Sequence, residues 1–185
     1  MKKILVIVAH PNIHKSRANR TIIQRIENLP NVTIRNLYEL YPYFFIDVAK
    51  EQKLLLDHDL IVFQHPIYWY SMPALLKEWM DQVLELGFAY GPGGKYLAGK
   101  DYLVSVTAGG PESSYGESGY NNFDFKEFLP PFIQTAKLCQ MNWQPPLILF
   151  GSIRASVESI EAHGEKVRDR LVTYSNLQYQ PGESV

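Results

Sequence analysis

Several short, almost unbroken apolar runs limit the folds open to this chain. "ILVIVA" (4–9), "LIVF" (60–63), "YLVSV" (102–106) and "LILF" (147–150) are too short to span a membrane. A strand with one wet face alternates apolar and polar residues. A strand buried on both faces reads as a continuous run, as in parallel sheets covered by helices. Helical patterns fall between the runs. Residues 16–28 carry Ile22, Ile23 and Ile26, and residues 47–56 carry Val48, Leu54 and Leu55. The clearest helix is 73–86, with Leu75, Leu76, Trp79, Met80, Val83 and Leu84 on one face, Pro73 in its first turn and Gly87 at its end. A second strand is expected over "VTIRNLY" (32–38) and a fifth over 146–151. Helices are expected over 123–140, interrupted near Pro130-Pro131, and over 155–173. Strands alternating with helices predict an α/β domain: a five-stranded parallel sheet, right-handed crossovers and helices on both faces. The 185 residues suit one domain, 1–174, followed by a polar tail, 175–185.

Composition narrows the function classes. The formal charge is −1, so charge gives no reason to expect a nucleic-acid partner. The lone cysteine, Cys139, cannot form an internal disulfide, which fits a reducing cytoplasm. The start "MKKILVIVAHP" is expected to be a first strand, because its apolar run is too short for a leader and polar residues follow at once. His10, His14 and His65 lack acidic or cysteine partners at ligand spacing, so no metal site is expected. A phosphate-accepting receiver needs acids after its first strand, where this chain has Ala9 and His10.

In such sheets ligands bind beyond the carboxyl ends of the strands. Three loops there attract attention. "HPNIHKSRANR" (10–20) leads into a helix whose start offers unpaired N–H groups beside Ser16, Arg17 and Asn19, an anion cradle without a Walker loop or a GxGxxG fingerprint. The plainer alternative is that Ser16 only caps the helix. "QHPIYWYSMP" (64–73) carries Tyr68, Trp69 and Tyr70, which suit a flat heteroaromatic ring or an aromatic corner. "TAGGPESSYGESGY" (107–120) has Gly109 and Gly110, which permit close backbone approach or merely a turn. Together the loops suggest a phosphate pocket beside a planar slot, the shape of a flavin mononucleotide. The flavodoxin-like strand order 2-1-3-4-5 would bring them together.

At these stretches the chain resembles the flavodoxin-like NAD(P)H:quinone oxidoreductases. It is most similar to the branch holding the ancillary proteins of glutathione-regulated potassium efflux and the general stress protein 14 type reductases. The resemblance rests on "AHP" followed by "SRAN", on "LYELYPYFFIDVAKEQ", "DLIVFQHPIYWYSMPALLKEWMDQV" and "GFAYGPGGKYLAGK", and on "TAGG". It implies non-covalent FMN, with FAD as the alternative, and NAD(P)H as co-substrate. It assigns His10, Ser16, Arg17, Ala18 and Asn19 to the phosphate and ribityl end. Ile67, Tyr68, Trp69 and Tyr70 fall beside the isoalloxazine, and Thr107, Ala108, Gly109 and Gly110 at its other edge. Quinone reductases of the mammalian type use a Tyr and a His after the fourth strand. Tyr115 matches the Tyr, and Asn121 stands near the place of the His. Tyr115 and Asn121 are therefore the expected catalytic pair, with Asn121 a carbonyl partner rather than a proton donor.

The expected chemistry is hydride transfer from NAD(P)H through flavin N5 to a quinone-like acceptor in ping-pong order, the cofactor carrying the reaction. Arg17 and Lys95 are the candidate partners for a 2′-phosphate. The resemblance also implies a homodimer, with Tyr41, Tyr43, Phe44 and Phe45 as candidate partner contacts. The alternative is a regulatory subunit docked on a potassium efflux transporter, cytoplasmic and peripheral to the inner membrane face. A one-electron carrier fits less well, since such proteins are usually strongly acidic.

Overall fold

A computed structural model describes residues 1–176. The four main strands are β1 (Ile4–Val8), β2 (Val32–Asn36), β3 (Leu60–Pro66) and β4 (Asp101–Thr107), and two short ones are β5 (Asn142–Trp143) and β6 (Leu147–Leu149). All pairings are parallel, in the order β2-β1-β3-β4 with β5 and β6 both against β4. The fifth strand expected over 146–151 is β6, and β5 is a further short strand not expected from the sequence. The two short strands flank Pro145 and Pro146, which have no N–H to donate to the ladder. The N–H of Gln144 is the last before the gap, bonding Tyr102 O at 2.9 Å.

The helices are α1 (Arg17–Ile26), α2 (Leu37–Leu40), α3 (Val48–Asp57), α4 (Ala74–Val83), α5 (Pro130–Leu138) and α6 (Val157–Asn176). Ile22 and Ile26 of α1 join Val167 and Leu171 of α6 over the sheet face formed by Ile4, Val6, Val8, Leu60, Val62 and Leu103. Leu55, Leu75, Trp79 and Phe132 cover the other face, against Leu5, Ile7, Ile61, Phe63 and Val104. Each such side chain, fully buried, contributes about 1.5–3 kcal/mol of transfer free energy. The interruption expected near Pro130 is a 3-10 turn, Phe125–Phe128, followed by α5 with the prolines in its first turn, where their missing N–H groups cost nothing. Helix α4 ends at Val83, so Gly87 (φ +84°) serves the next turn rather than the cap. Helix α6 runs to Asn176, two residues past the boundary expected at 174; the remainder of the expected tail lies outside the described residues.

Tyr41, expected at a partner surface, is buried. Its hydroxyl donates to Glu51 Oε1 at 2.7 Å, and Trp79 Nε1 donates to Glu51 Oε2 at 3.0 Å. Arg35 completes the cluster by pairing with the same carboxylate. Burial, then the bond to Glu51, pushes the Tyr41 phenol up to about 12. A fully buried carboxylate needs such partners, and tyrosine and tryptophan supply them while filling space. Tyr43 and Phe45 remain exposed.

The register places the site. Gln64 lies opposite both Val8 and Ser105, and Pro66 opposite Thr107. Strands β3 and β4 therefore end side by side, and the loops after them leave as neighbours.

Candidate functional site

Helix α1 starts at this edge because Ser16 caps it, accepting the Asn19 N–H at 3.2 Å. The N–H groups of Arg17 and Ala18 have no intrahelical partner. Asn19 is buried and its amide is fully engaged within the fold. Nδ2 donates to Ser16 Oγ at 3.1 Å and to Thr107 Oγ1 at 3.0 Å, while Oδ1 accepts from Gln64 Nε2 at 2.8 Å. One side chain thus joins α1 to the ends of β3 and β4. The Arg17 guanidinium donates to Ala155 O, bringing in the segment before α6.

A cavity of about 490 Å³ opens here. Its wall carries His10, Ser16, Arg17, Ala18 and Asn19 from the first loop, Ile67 and Tyr68 from the second, and Thr107 and Gly109 from the third. His10 Nδ1 accepts the Asn12 N–H at 3.0 Å, and burial lowers its pKa below the ordinary value of 6.5. The ring is therefore neutral near pH 7, with its proton on Nε2. The positive end of α1, two free N–H groups, the Ser16 hydroxyl and Arg17 make one end of the cavity suited to an anion.

The second loop folds into a tight hairpin. Tyr68 and Ser71 exchange N–H···O bonds of 3.2 and 3.0 Å around Trp69 (φ 49°) and Tyr70 (φ 62°). Two left-handed central residues make a type I′ turn, a geometry that favours Asn and Gly. Two aromatics held there cost roughly 1–2 kcal/mol each. Surrounding contacts hold Tyr70: its ring lies 5.0 Å from Phe128, and its hydroxyl donates to Asn121 Oδ1 at 3.2 Å. Trp69 has no such support and is 92% exposed. Strain of this kind persists at ligand clamps.

In the third loop Ala108 is buried, its N–H bonded to Leu149 O and its carbonyl to the Ser152 N–H, both at 2.9 Å. Gly110 lies outside the cavity, lining an adjoining depression of about 590 Å³ with Tyr120, Ile153 and Arg154. A Cβ on Gly110 would come within 2.6 Å of Ser114 Oγ and 2.7 Å of Tyr120 Oη.

Of the expected residues, Trp69, Tyr70, Ala108 and Gly110 flank the cavity rather than line it. Tyr115 and Asn121 are also off its wall. Tyr115 packs among Phe125, Phe128 and Phe150, and the Asn121 amide bonds Ser114 Oγ at 3.0 Å as well as Tyr70. Lys95 is absent from both linings. Sequence reasoning overlooked Ser152, Ile153 and Arg154. The signal was available, since they follow the last strand at the same carboxyl edge.

A family profile described as flavodoxin-like fold matches residues 2–171. The glutathione-regulated potassium-efflux system ancillary protein KefG of Cronobacter sakazakii is 49% identical over 162 residues, covering 88% of each chain. The crystal structure of general stress protein 14 from Treponema denticola, in complex with FMN, is similar at TM-score 0.88 and 38% identity, covering 92% of this chain and 98% of that one. An NADPH-quinone reductase structure from P. pentosaceus is similar at TM-score 0.83 and 31% identity, covering 91% and 96%.

Proposed function

The chain belongs to the flavodoxin-like fold family, and from that membership we propose that it binds FMN and reduces quinone-like acceptors with NAD(P)H. The observation that carries this reading is the convergence of an anion-binding helix start and a strained aromatic hairpin on one cavity of about 490 Å³. The residues fit the group. Ser16, Arg17 and the free N–H groups of α1 would hold its phosphate, His10 would donate from Nε2 to a polar oxygen, and Ile67, Tyr68 and Gly109 would border its ring. When bound, FMN would supply two-electron redox chemistry between the nicotinamide and the acceptor.

The chain's own residues orient and shield. The N–H groups of Trp69, Tyr70, Gly109 and Gly110, unlike those of Tyr68 and Ala108, have no partner among the described residues and would be free to meet negative charge on a reduced ring. Trp69 projects beside the opening, placed to cover a planar substrate. Asn121 acts through Tyr70, fixing the ring that supports the hairpin. NAD(P)H and the acceptor use the same opening in turn, which gives ping-pong kinetics. Arg154 in the adjoining depression offers a cation for the phosphates of the dinucleotide. The decisive experiment is the spectrum of the purified protein under anaerobic conditions. A flavin spectrum that bleaches with NAD(P)H and returns with a quinone supports the reading. A protein that takes up no flavin on reconstitution overturns it.

The 49% identity to an ancillary protein of potassium efflux favours a second role for the same fold, docking on such a transporter at the cytoplasmic face of the membrane. Among the described residues no helix is long and apolar enough to cross a membrane, so attachment of this kind would be peripheral. Recovery of the transporter with the tagged protein from detergent-solubilised membranes tests it; failure to recover it under mild detergent counts against docking.

A further inference from the structure

Gln64 is a glutamine in the middle of a buried sheet, 1% exposed, on the strand next to the cavity but not on its wall. Its Nε2 donates to Asn19 Oδ1 at 2.8 Å. That bond is the one hydrogen bond the Gln64 side chain makes among the described residues, its Oε1 being buried without a partner, and it turns Asn19 Oδ1 toward β3. With Oδ1 turned to Gln64, Nδ2 must face Ser16 Oγ and Thr107 Oγ1, at 3.1 and 3.0 Å. Both hydroxyls then act as acceptors from inside the protein. Ser16 Oγ also accepts the Asn19 backbone N–H, so both its lone pairs are occupied and its own hydrogen has to point elsewhere. Ser16 and Thr107 both line the cavity, where a ligand acceptor would take those hydrogens.

We infer that Gln64 is a positioning residue that sets the polarity of this chain, so that Ser16 and Thr107 present O–H donors to an anionic group in the cavity. The inference rests on the proposed FMN reading and names the part of the ligand that Gln64 serves, the phosphate. A phosphate dianion accepts hydrogen bonds and donates none, so a hydroxyl with its proton turned inward would offer it only a lone pair. Reversing the amide of Asn19, which only exchanges the places of its nitrogen and oxygen, would do this without changing the packing.

Gln64→Glu supplies the reversal. A carboxylate only accepts, so Asn19 Nδ2 would turn to it and Oδ1 would take the protons of Ser16 and Thr107. Gln64→Met keeps the volume and removes the lock without adding charge. The measurement is the dissociation constant of the apoprotein for FMN and, in parallel, for riboflavin, which lacks the phosphate. Wild type is expected to prefer FMN strongly. Gln64→Glu should weaken FMN by a factor of ten or more while changing riboflavin less than threefold, and Gln64→Met should fall between. Equal losses for both ligands, or an unchanged preference in folded Gln64→Met, would overturn the inference. Failure of wild type to bind either flavin would instead sink the cofactor reading itself.

Discussion

At Trp69 the backbone adopts a conformation its side chain disfavours, and the indole makes no compensating contact in the fold. Trp69→Gly should therefore raise stability by about 1 kcal/mol in urea unfolding, since glycine takes φ 49° without steric cost. The same change should lower NAD(P)H oxidation at least several-fold, because the covering ring is gone. Loss of stability in this variant would show that the indole packs after all. His65 and His163 govern a different property. Both are buried, and burial lowers each to about 4; Lys166 adds to the effect at His163 and a bond to Pro66 O opposes it at His65. Unfolded, each binds a proton near pH 6.5. Between pH 6.5 and 4 the unfolded chain holds more protons, so stability falls as pH falls, with a slope approaching about 2.7 kcal/mol per pH unit for the two together. Chemical denaturation across this range checks it, and His65→Phe should flatten the slope by about half. Neither histidine's role was legible from the chain, because burial is a property of the folded neighbourhood. By contrast, the N-cap at Ser16 was legible, since capping is a local need, and Ser16 and Gly109 both line the cavity.

Among the elements, α3 is fixed to the rest by Glu51. Its carboxylate takes hydrogen bonds from Tyr41 and Trp79 and pairs with Arg35 of β2, with no exposure to water. Glu51→Ala leaves the Arg35 charge uncompensated and should cost about 3–5 kcal/mol, measurable as a lowered unfolding midpoint. Glu51→Leu together with Arg35→Met should recover part of that loss, because the stranded charge is removed while the Tyr41 and Trp79 donors still lack their acceptor. The helical periodicity of α3 was readable from Val48, Leu54 and Leu55. The burial of Glu51 was not, because a glutamate between apolar positions ordinarily faces solvent. The same limit explains Tyr41. "YPYFF" reads as one exposed aromatic stretch, yet Tyr41 turns inward to a carboxylate ten residues away in sequence while Tyr43 and Phe45 stay outside. The short β5 ahead of Pro145-Pro146 was not read from the chain, because two residues before a pair of prolines carry too little pattern to register as a strand.

For the molecule as a whole, the exposed rings of Tyr43 (80%) and Phe45 (87%) are the predicted contact of a homodimer. Light scattering should give twice the 21.3 kDa chain mass for the wild type and the single mass for a Tyr43→Glu/Phe45→Glu variant. A monomeric wild type would leave these rings to another partner. The layered α/β architecture follows from the chain alone, because apolar continuity, helical period and handed crossovers act over short stretches; those rules leave more than one strand order open, and 2-1-3-4-5 was expected because it brings the three loops together. Only the folded structure decided which polar groups meet. Asn19, Gln64 and Thr107 lie on three different elements and become partners because the register ends β3 and β4 together. Hydrogen bonds depend on tenths of an ångström between groups distant in sequence, and no periodicity encodes that distance.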